Sequence, residues 1–379
     1  MRIGFYAPLK PPDHPSPSGD RRMARLLMAA LSGMGHDVRV ISDLRSYNSD
    51  GNTAREASIA AAARDDVQRI TRDFSGPPPW IPDLLFTYHV YHKAADYIGP
   101  ALKHRFNIPY VIAEPSVAPK RANGPWAKGY AQAALAIRSA DALLCLTTLD
   151  RACVIDLAGP DKVIGLPPFL EAAPYARVQR HRNELRPVWA AQYRLPPEEP
   201  WLLAVGMMRM GDKLASFRAL SDMLQQAQDI PWRLILAGDG PARAEVEAVM
   251  APLGARVCFT GLLAAEELAG AYTVSDLYVW PAVNEAYGMA LLEAQACGLP
   301  VLAAQTRGVP DIVRQNETGL LTPDGDMAAM ADGLRGLLAD RAGLARMRDA
   351  ALAKVQAEHD LPAAQRNLAA VFKTLGLPA

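Results

Sequence analysis

Short apolar runs alternate with longer amphipathic stretches along the whole chain, and their order decides the fold class. RIGFYAP (2–8) reads as a strand, a proline-rich loop follows, and DRRMARLLMAALSGMG (20–35) carries helical periodicity to a terminal glycine. DVRVIS (37–42) returns as a strand. Strand, crossover helix and second strand make a βαβ unit, which predicts a parallel sheet with a right-handed crossover. Residues 43–80 hold a polar loop, a helix around 54–73 and the breaker Gly76-Pro77-Pro78-Pro79. Further strands are expected at 83–89, 110–114 and 142–147, with helices between them. LPPFLEAAPY (166–175) reads as a hinge, with the basic run Arg177 to Arg186 at the seam.

A second series opens at WLLAVGM (201–207) and continues with strands at 232–238, 256–261, 277–281 and 300–304, separated by helical patterns. The tail from Met327 to Gly376 is helical in pattern, with Pro362 as its break. The pattern as a whole predicts two doubly wound α/β domains with a ligand crevice between them.

Composition narrows the classes. A chain of 379 residues exceeds one ordinary core, which agrees with two domains. Lys plus Arg and Asp plus Glu number 40 each, so no global field favours nucleic acid or an anionic membrane. The four cysteines (Cys145, Cys153, Cys258, Cys297) lack C-x-x-C spacing and read as reduced core residues of an intracellular protein. No run approaches the ~20 apolar residues of a membrane span. Met1 opens directly into a strand, which predicts no signal peptide and a soluble, cytoplasmic protein.

The densest chemistry lies in WPAVNEAYGMALLEAQACGLPVLA (280–303), a strand end, a tight turn, a helix closed by Gly298 and a new strand. Glu285 stands where the helix begins, beside the amides of Tyr287, Gly288 and Met289, which lack partners inside the helix. The helix itself is apolar nearly all round and should be buried. A carboxylate at Glu293 inside it needs a partner, for which ligand hydroxyls are candidates. Acceptors for hydroxyls and donors for an anion at one helix end suit a sugar nucleotide.

With Pro281 before it and Tyr287-Gly288 in the turn, the Glu285 to Glu293 pair resembles the E-x7-E signature of retaining GT-B glycosyltransferases of the family-4 type. That resemblance implies two Rossmann-like domains facing a central cleft. An acceptor domain would span 1–170, with a C-terminal helix of about 360–379 packed back on it, followed by a linker over 171–198 and a donor domain over 199–358. It implies a metal-independent retaining hexosyltransferase that moves a hexose from a nucleotide-diphosphate sugar, UDP or GDP, to a hydroxyl of a glycan, glycolipid or small molecule. No cofactor is implied, because Arg209, Lys213 and helix amides would hold the leaving diphosphate. Nucleic acid is excluded as a partner, while peripheral contact with the inner face of a membrane is left open, as is the oligomeric state.

Other residues enter through the same resemblance. Arg209 and Lys213, in GMMRMGDK after the strand 201–207, are similar to the family's diphosphate-gripping pair, at a spacing of four rather than five. Gly238, in AGDGPAR, reads as a tight turn first and a ligand contact second. Gly261 and Leu262 resemble the segment that meets the base; an ordinary strand exit is the alternative. Asp276 reads as a turn or cap residue. In Pro17-Ser18-Gly19-Asp20, Gly19 would let a ligand approach the backbone, while Ser18 and Asp20 cap the helix. Arg21, Arg22 and Arg25 face either solvent or an anionic acceptor. His89 and Glu114, at strand ends, are acceptor-side candidates, with capping as the alternative for Glu114. His89 and His92 are badly spaced for a metal, and Asp324-Gly325-Asp326 fits helix capping better than metal binding. Two rival functions remain at this point: a non-catalytic sugar-nucleotide sensor, or a GT-B sugar-nucleotide epimerase or hydrolase.

Overall fold

The computed structural model describes residues 1–16 and 18–378; Pro17, the first residue of the Pro17–Asp20 opening, lies outside them. The chain divides into two compact units, Met1–Phe169 together with the chain from Leu361 onward, and Leu170–Asp360.

The first unit runs β1 (Arg2–Tyr6), α1 (Gly19–Gly33), β2 (Asp37–Ser42), α2 (Thr53–Ser75), β3 (Leu84–Val90), α3 (Gly99–Phe106), β4 (Tyr110–Pro115), α4 (Ala127–Ser139), β5 (Ala142–Cys145), α5 (Thr148–Ala158) and β6 (Val163–Gly165). Its strands form one parallel sheet in the order β2-β1-β3-β4-β5-β6. The order reverses between β1 and β3. At such a switch point the loops leaving neighbouring strands diverge to opposite faces and leave a crevice at the carboxyl ends.

The second unit runs α6 (Ala173–Gln179), α7 (Arg182–Tyr193), β7 (Trp201–Val205), α8 (Asp212–Gln226), β8 (Arg233–Ala237), α9 (Arg243–Met250), β9 (Val257–Gly261), α10 (Ala265–Val274), β10 (Leu277–Trp280), α11 (Met289–Ala296), β11 (Val301–Ala304), α12 (Val309–Ile312), β12 (Gly319–Thr322), α13 (Met327–Ala339) and α14 (Arg341–Lys354). The parallel order β12-β11-β10-β7-β8-β9 puts its switch point between β7 and β10. The central strands are buried on both faces, which is why WLLA and LYVW read as continuous apolar runs. Trp201 and Trp280 anchor them, each burial worth about 1.5–3 kcal/mol or more.

A final helix, α15 (Leu361–Thr374), rejoins the first unit and packs on α1. Gln365 Nε2 donates to Ala30 O at 3.2 Å, and the rings of Phe372 and His36 lie 5.8 Å apart.

Some details differ from the sequence pattern. The expected strands form, several of them (β1, β5, β7, β8 and β10) ending one or two residues earlier, and two short edge strands, β6 and β12, were not foreseen. Residues 171–198, expected as a linker, carry α6 and α7, which pack on α10. The helical tail breaks at Asp340 and Asp360 rather than at Pro362. Asp340 caps α14 by accepting from Gly343 N at 2.7 Å. Pro362 sits in the first turn of α15, where a missing N–H removes no helical bond.

Candidate active site

The loops leaving β7 and β10 flank the second unit's switch point, and each supplies a charge. Lys213 opens α8 after the β7 loop; Glu285 lies in the turn after β10. Lys213 Nζ donates to Glu285 Oε2 at 2.5 Å, and Trp280 Nε1 donates to the same oxygen at 3.3 Å. The ammonium also stands 5.3 Å from the centre of the Trp280 indole, a cation–π contact. The two side chains are only 19% and 17% exposed, so water screens the pair weakly.

The Glu285 turn is pinned from several sides. Ser216 Oγ accepts from Val283 N at 3.1 Å, Asn284 Nδ2 donates to Asp212 Oδ2 at 3.0 Å, and Arg307 Nη1 donates to Asn284 Oδ1 at 3.1 Å. Ala282 and Asn284 hold left-handed backbone (φ 56° and 54°), a strain that persists only where the surroundings over-determine it. Gly288 then enters α11 at φ 78°, and a Cβ there would stand 2.5 Å from Leu291 Cδ1 and 3.3 Å from Glu285 Cγ. Glycine is therefore required to bring Glu285 to the helix's amino end, where Met289 begins the α11 dipole. Tyr287, beside it, is buried.

Arg209 is exposed in the β7–α8 loop, four residues before Lys213. That loop is fixed against the turn after β8. Gly206 N donates to Ala237 O at 3.1 Å, and Met208 N donates to Asp239 O at 3.0 Å. The approach is so close that a Cβ on Gly238 would fall 2.0 Å from Gly206 O. Gly238 is thus required by loop packing, and it hydrogen-bonds onward to Gly261 O at 2.9 Å. Leu262, next along, is 81% exposed, an apolar surface at the carboxyl end of β9.

Glu293 departs from expectation in one respect. Its side chain already has a protein partner, because Tyr272 of α10 donates to Glu293 Oε2 at 2.8 Å, and the residue is only 4% exposed. Burial, together with Glu293, raises the Tyr272 hydroxyl well above its ordinary range, so it remains a donor. Tyr272 was missed because a tyrosine in the apolar helix AEELAGAYTV reads as plain core.

The first unit has its own charged group at its switch point. His89 is the second-last residue of β3 and Glu114 that of β4, both in left-handed backbone (φ 63° and 56°). Asp20, in the first turn of α1, lies with Oδ1 3.1 Å from His89 Nδ1, and Glu114 Oε1 is 3.8 Å from the same nitrogen. Burial alone would lower the His89 imidazole, but Glu114 and Asp20 outweigh it and hold it up at about 9. Burial raises the Glu114 carboxyl against the opposing pull of His89. Asp20 is lowered: burial opposes ionisation, and the His89 hydrogen bond and charge overcome it. Ser18 takes the capping role by accepting from Arg21 N at 3.2 Å. A Cβ added at Gly19 would meet nothing within 4 Å among the described residues, so the space above it is open.

Several other residues are occupied elsewhere. Arg21 and Arg25 donate to His14 O at 2.8 Å and Pro12 O at 2.7 Å, tying down the proline-rich loop. His92 is pushed down to about 4 by burial and then by Arg121 and Lys93. Asp326 caps α13 by accepting from Ala329 N at 2.9 Å. Asp276 pairs with Arg182 and Arg186 at the amino end of the sheet. Among the described residues no group of three His, Cys, Asp or Glu side chains could hold a metal ion, and no helix is long and apolar enough to cross a membrane.

Comparison with known proteins places this geometry. Residues 199–340 match the family described as glycosyl transferases group 1. The chain is 36% identical over 148 residues to a sulfoquinovosyl transferase of Arabidopsis thaliana, covering 38% of this chain and 28% of that protein. It is 29% identical over 287 residues to a D-inositol 3-phosphate glycosyltransferase of Nocardia farcinica, covering 70% of this chain and 62% of that one. The chain thus spans less than two thirds of the length of these curated relatives. Among solved structures it resembles sucrose-phosphate synthase from Thermosynechococcus elongatus at TM-score 0.74 and 20% identity, covering 99% of each chain. It also resembles Anabaena HepE in complex with UDP and glucose at TM-score 0.71 and 17% identity, covering 99% of this chain and 100% of that one. The fold is the GT-B fold of these proteins.

Proposed function

From the membership of residues 199–340 in the glycosyl transferases group 1 family, we propose that the protein transfers a hexose from a nucleoside-diphosphate sugar to a hydroxyl acceptor with retention of configuration. The observation that carries this reading is the Lys213–Glu285 pair at the second unit's switch point, beside the amino end of α11. HepE, with UDP and glucose bound, favours UDP as the nucleotide.

Breaking the anomeric C–O bond proceeds through an oxocarbenium-like transition state, and negative charge grows on the departing diphosphate. Groups fixed in advance stabilise that charge best, because they need no reorganisation as it develops. Arg209, Lys213 and the amides of Tyr287, Gly288 and Met289 at the amino end of α11 supply it. Charge-assisted bonds of this kind contribute about 1.5–3 kcal/mol each. This cationic set can hold the diphosphate without a metal ion. Glu285 binds sugar hydroxyls near the anomeric carbon, held in place by Lys213 and Trp280. Glu293 reaches the ribose from beside Tyr272, and Gly261 with Leu262 meets the base. His89, Glu114 and the open space at Gly19 form the acceptor side.

The test is nucleoside-diphosphate release from a panel of UDP-, GDP- and ADP-sugars, with and without EDTA. Turnover of one donor that persists in EDTA and falls at least ~100-fold in Arg209→Ala supports the reading. Undiminished turnover in Arg209→Ala, or binding of a donor with neither transfer nor hydrolysis, overturns it.

A further inference from the structure

At the opposite end of the second unit's sheet from Glu285 lies a cavity of about 440 Å³. Pro200 and Asp276, which precede β7 and β10, mark it as lying at the amino ends of the strands. Arg182 and Arg186 of α7 and Arg341 and Arg348 of α14 line it, with an apolar wall from Leu338 and Leu344.

The carboxylates on this wall answer only two of the four arginines. Asp276 is taken by Arg182 at 2.6 Å, Arg186 at 3.1 Å and the Trp201 amide at 2.8 Å. Glu199 is paired with Arg233 at 2.8 Å, and Glu198 is exposed. Arg186 also donates to Val274 O at 2.6 Å, and Arg182 to Ser275 O at 2.6 Å, so both close the carboxyl end of α10. Arg348 is different. Its Nη1 is buried and has no hydrogen-bond partner among the described residues. Burial lowers the Arg348 guanidinium, and burial with Arg348 as neighbour lowers Arg182 to about 10, which still leaves Arg182 charged at neutral pH.

A buried cationic N–H without an acceptor is costly, and an anion is the group that answers it. Planar guanidinium forks match phosphate oxygens in pairs. We propose that this arginine-walled cavity is a second anion site, distinct from the donor residues, which binds the phosphate of a small phosphorylated molecule and packs its carbon frame against Leu338 and Leu344. The stem of Arg348 lies against the position after α11, since a Cβ on Gly298 would be 3.0 Å from Arg348 Cγ. The site therefore borders the far end of the helix that begins at Gly288.

Isothermal titration of the full chain with pyrophosphate and with glucose 6-phosphate, at ionic strength matched with sodium chloride, tests this. Arg209→Ala weakens the donor-side contribution, and what Lys213 and the amides near Gly288 still bind there is unaffected by a change at Arg348 or Arg341. Saturable binding of either probe should survive in Arg209→Ala and weaken at least ~10-fold when Arg348→Gln or Arg341→Gln is added to that background. Arg341 is exposed at the start of α14, so Arg341→Gln keeps the test decisive if Arg348→Gln does not fold. Absence of saturable binding to Arg209→Ala, or unchanged affinity in Arg341→Gln on that background, overturns the proposal. Neither outcome bears on donor turnover, which is read separately.

Discussion

Lys213 and Glu285, 72 positions apart in the chain, meet at 2.5 Å beside the indole of Trp280. The contact joins the two loops that diverge at the switch point of the second sheet, so it positions the carboxylate and holds the β7–α8 loop in one arrangement. Removing one partner leaves a largely buried charge alone, which costs more than removing both. Glu285→Gln and Lys213→Met should each destabilise by about 1–3 kcal/mol, and the double variant should lose less than the sum. Urea denaturation closes the cycle. Calorimetry with UDP should show Glu285→Gln binding nearly as the parent does while transfer collapses. Additive stability losses would show that the pair does not couple.

Glu293 and Tyr272 separate structure from binding. Tyr272→Phe removes the donor to a buried carboxylate and should cost about 1–3 kcal/mol by denaturation. Its UDP affinity should stay close to the parent's. Glu293→Ala should lose both stability and nucleotide affinity, because the same carboxylate is proposed to meet the ribose. Parental UDP affinity in a folded Glu293→Ala protein would make Glu293 a purely internal residue.

How much of this was legible in the chain depends on the range of the interaction. The turn from Trp280 through Gly288 into α11 was readable because its logic is local: a strand end, a required glycine and an apolar helix lie within one stretch. That Arg209 and Lys213 follow β7 was readable from the strand pattern. That Lys213 pairs with Glu285, and Tyr272 with Glu293, was not readable, because no periodicity encodes which loop faces which. β6 and β12 are three and four residues long, too short to carry an alternating pattern. The helices within 171–198 were not readable either. Pro187 sits inside α7, yet buried Trp189 and the Arg182 and Arg186 bonds hold that helix together by tertiary contact.

Two glycines should respond in opposite ways to the same substitution. In Gly238→Ala the new methyl would fall 2.0 Å from Gly206 O at φ 140°, so the β7 and β8 loops must separate. A loss of at least ~2 kcal/mol in stability and displacement of Arg209 are expected. In Gly19→Ala the methyl enters open space, and the melting temperature should stay within error of the parent's. If substrate approaches that backbone, turnover should nevertheless fall. Thermal melts beside initial rates distinguish the two, and a Gly19→Ala protein with parental rates would remove Gly19 from the substrate's path.

The first unit's switch point predicts a pH dependence whose sign follows from His89. Its imidazole rises from the ordinary 6.5 to about 9 in the folded chain, held there by Glu114 and Asp20 against burial. A raised folded value means that the imidazolium stabilises the fold fully below about 6.5, where folded and unfolded chains are both protonated. That stabilisation is lost as pH rises through about 9. His89→Gln should therefore cost on the order of 2–3 kcal/mol more at pH 6 than at pH 10, measured by denaturant unfolding at both values. Proton NMR of His89 should give a midpoint well above 6.5, moving downward in Glu114→Gln. A midpoint at 6.5 in the parent, or a larger deficit at pH 10 than at pH 6, would mean that the three side chains do not share charge in solution. Because the same imidazolium lines the proposed acceptor side, its loss of charge at high pH should also raise the KM for acceptor before it changes the affinity for UDP.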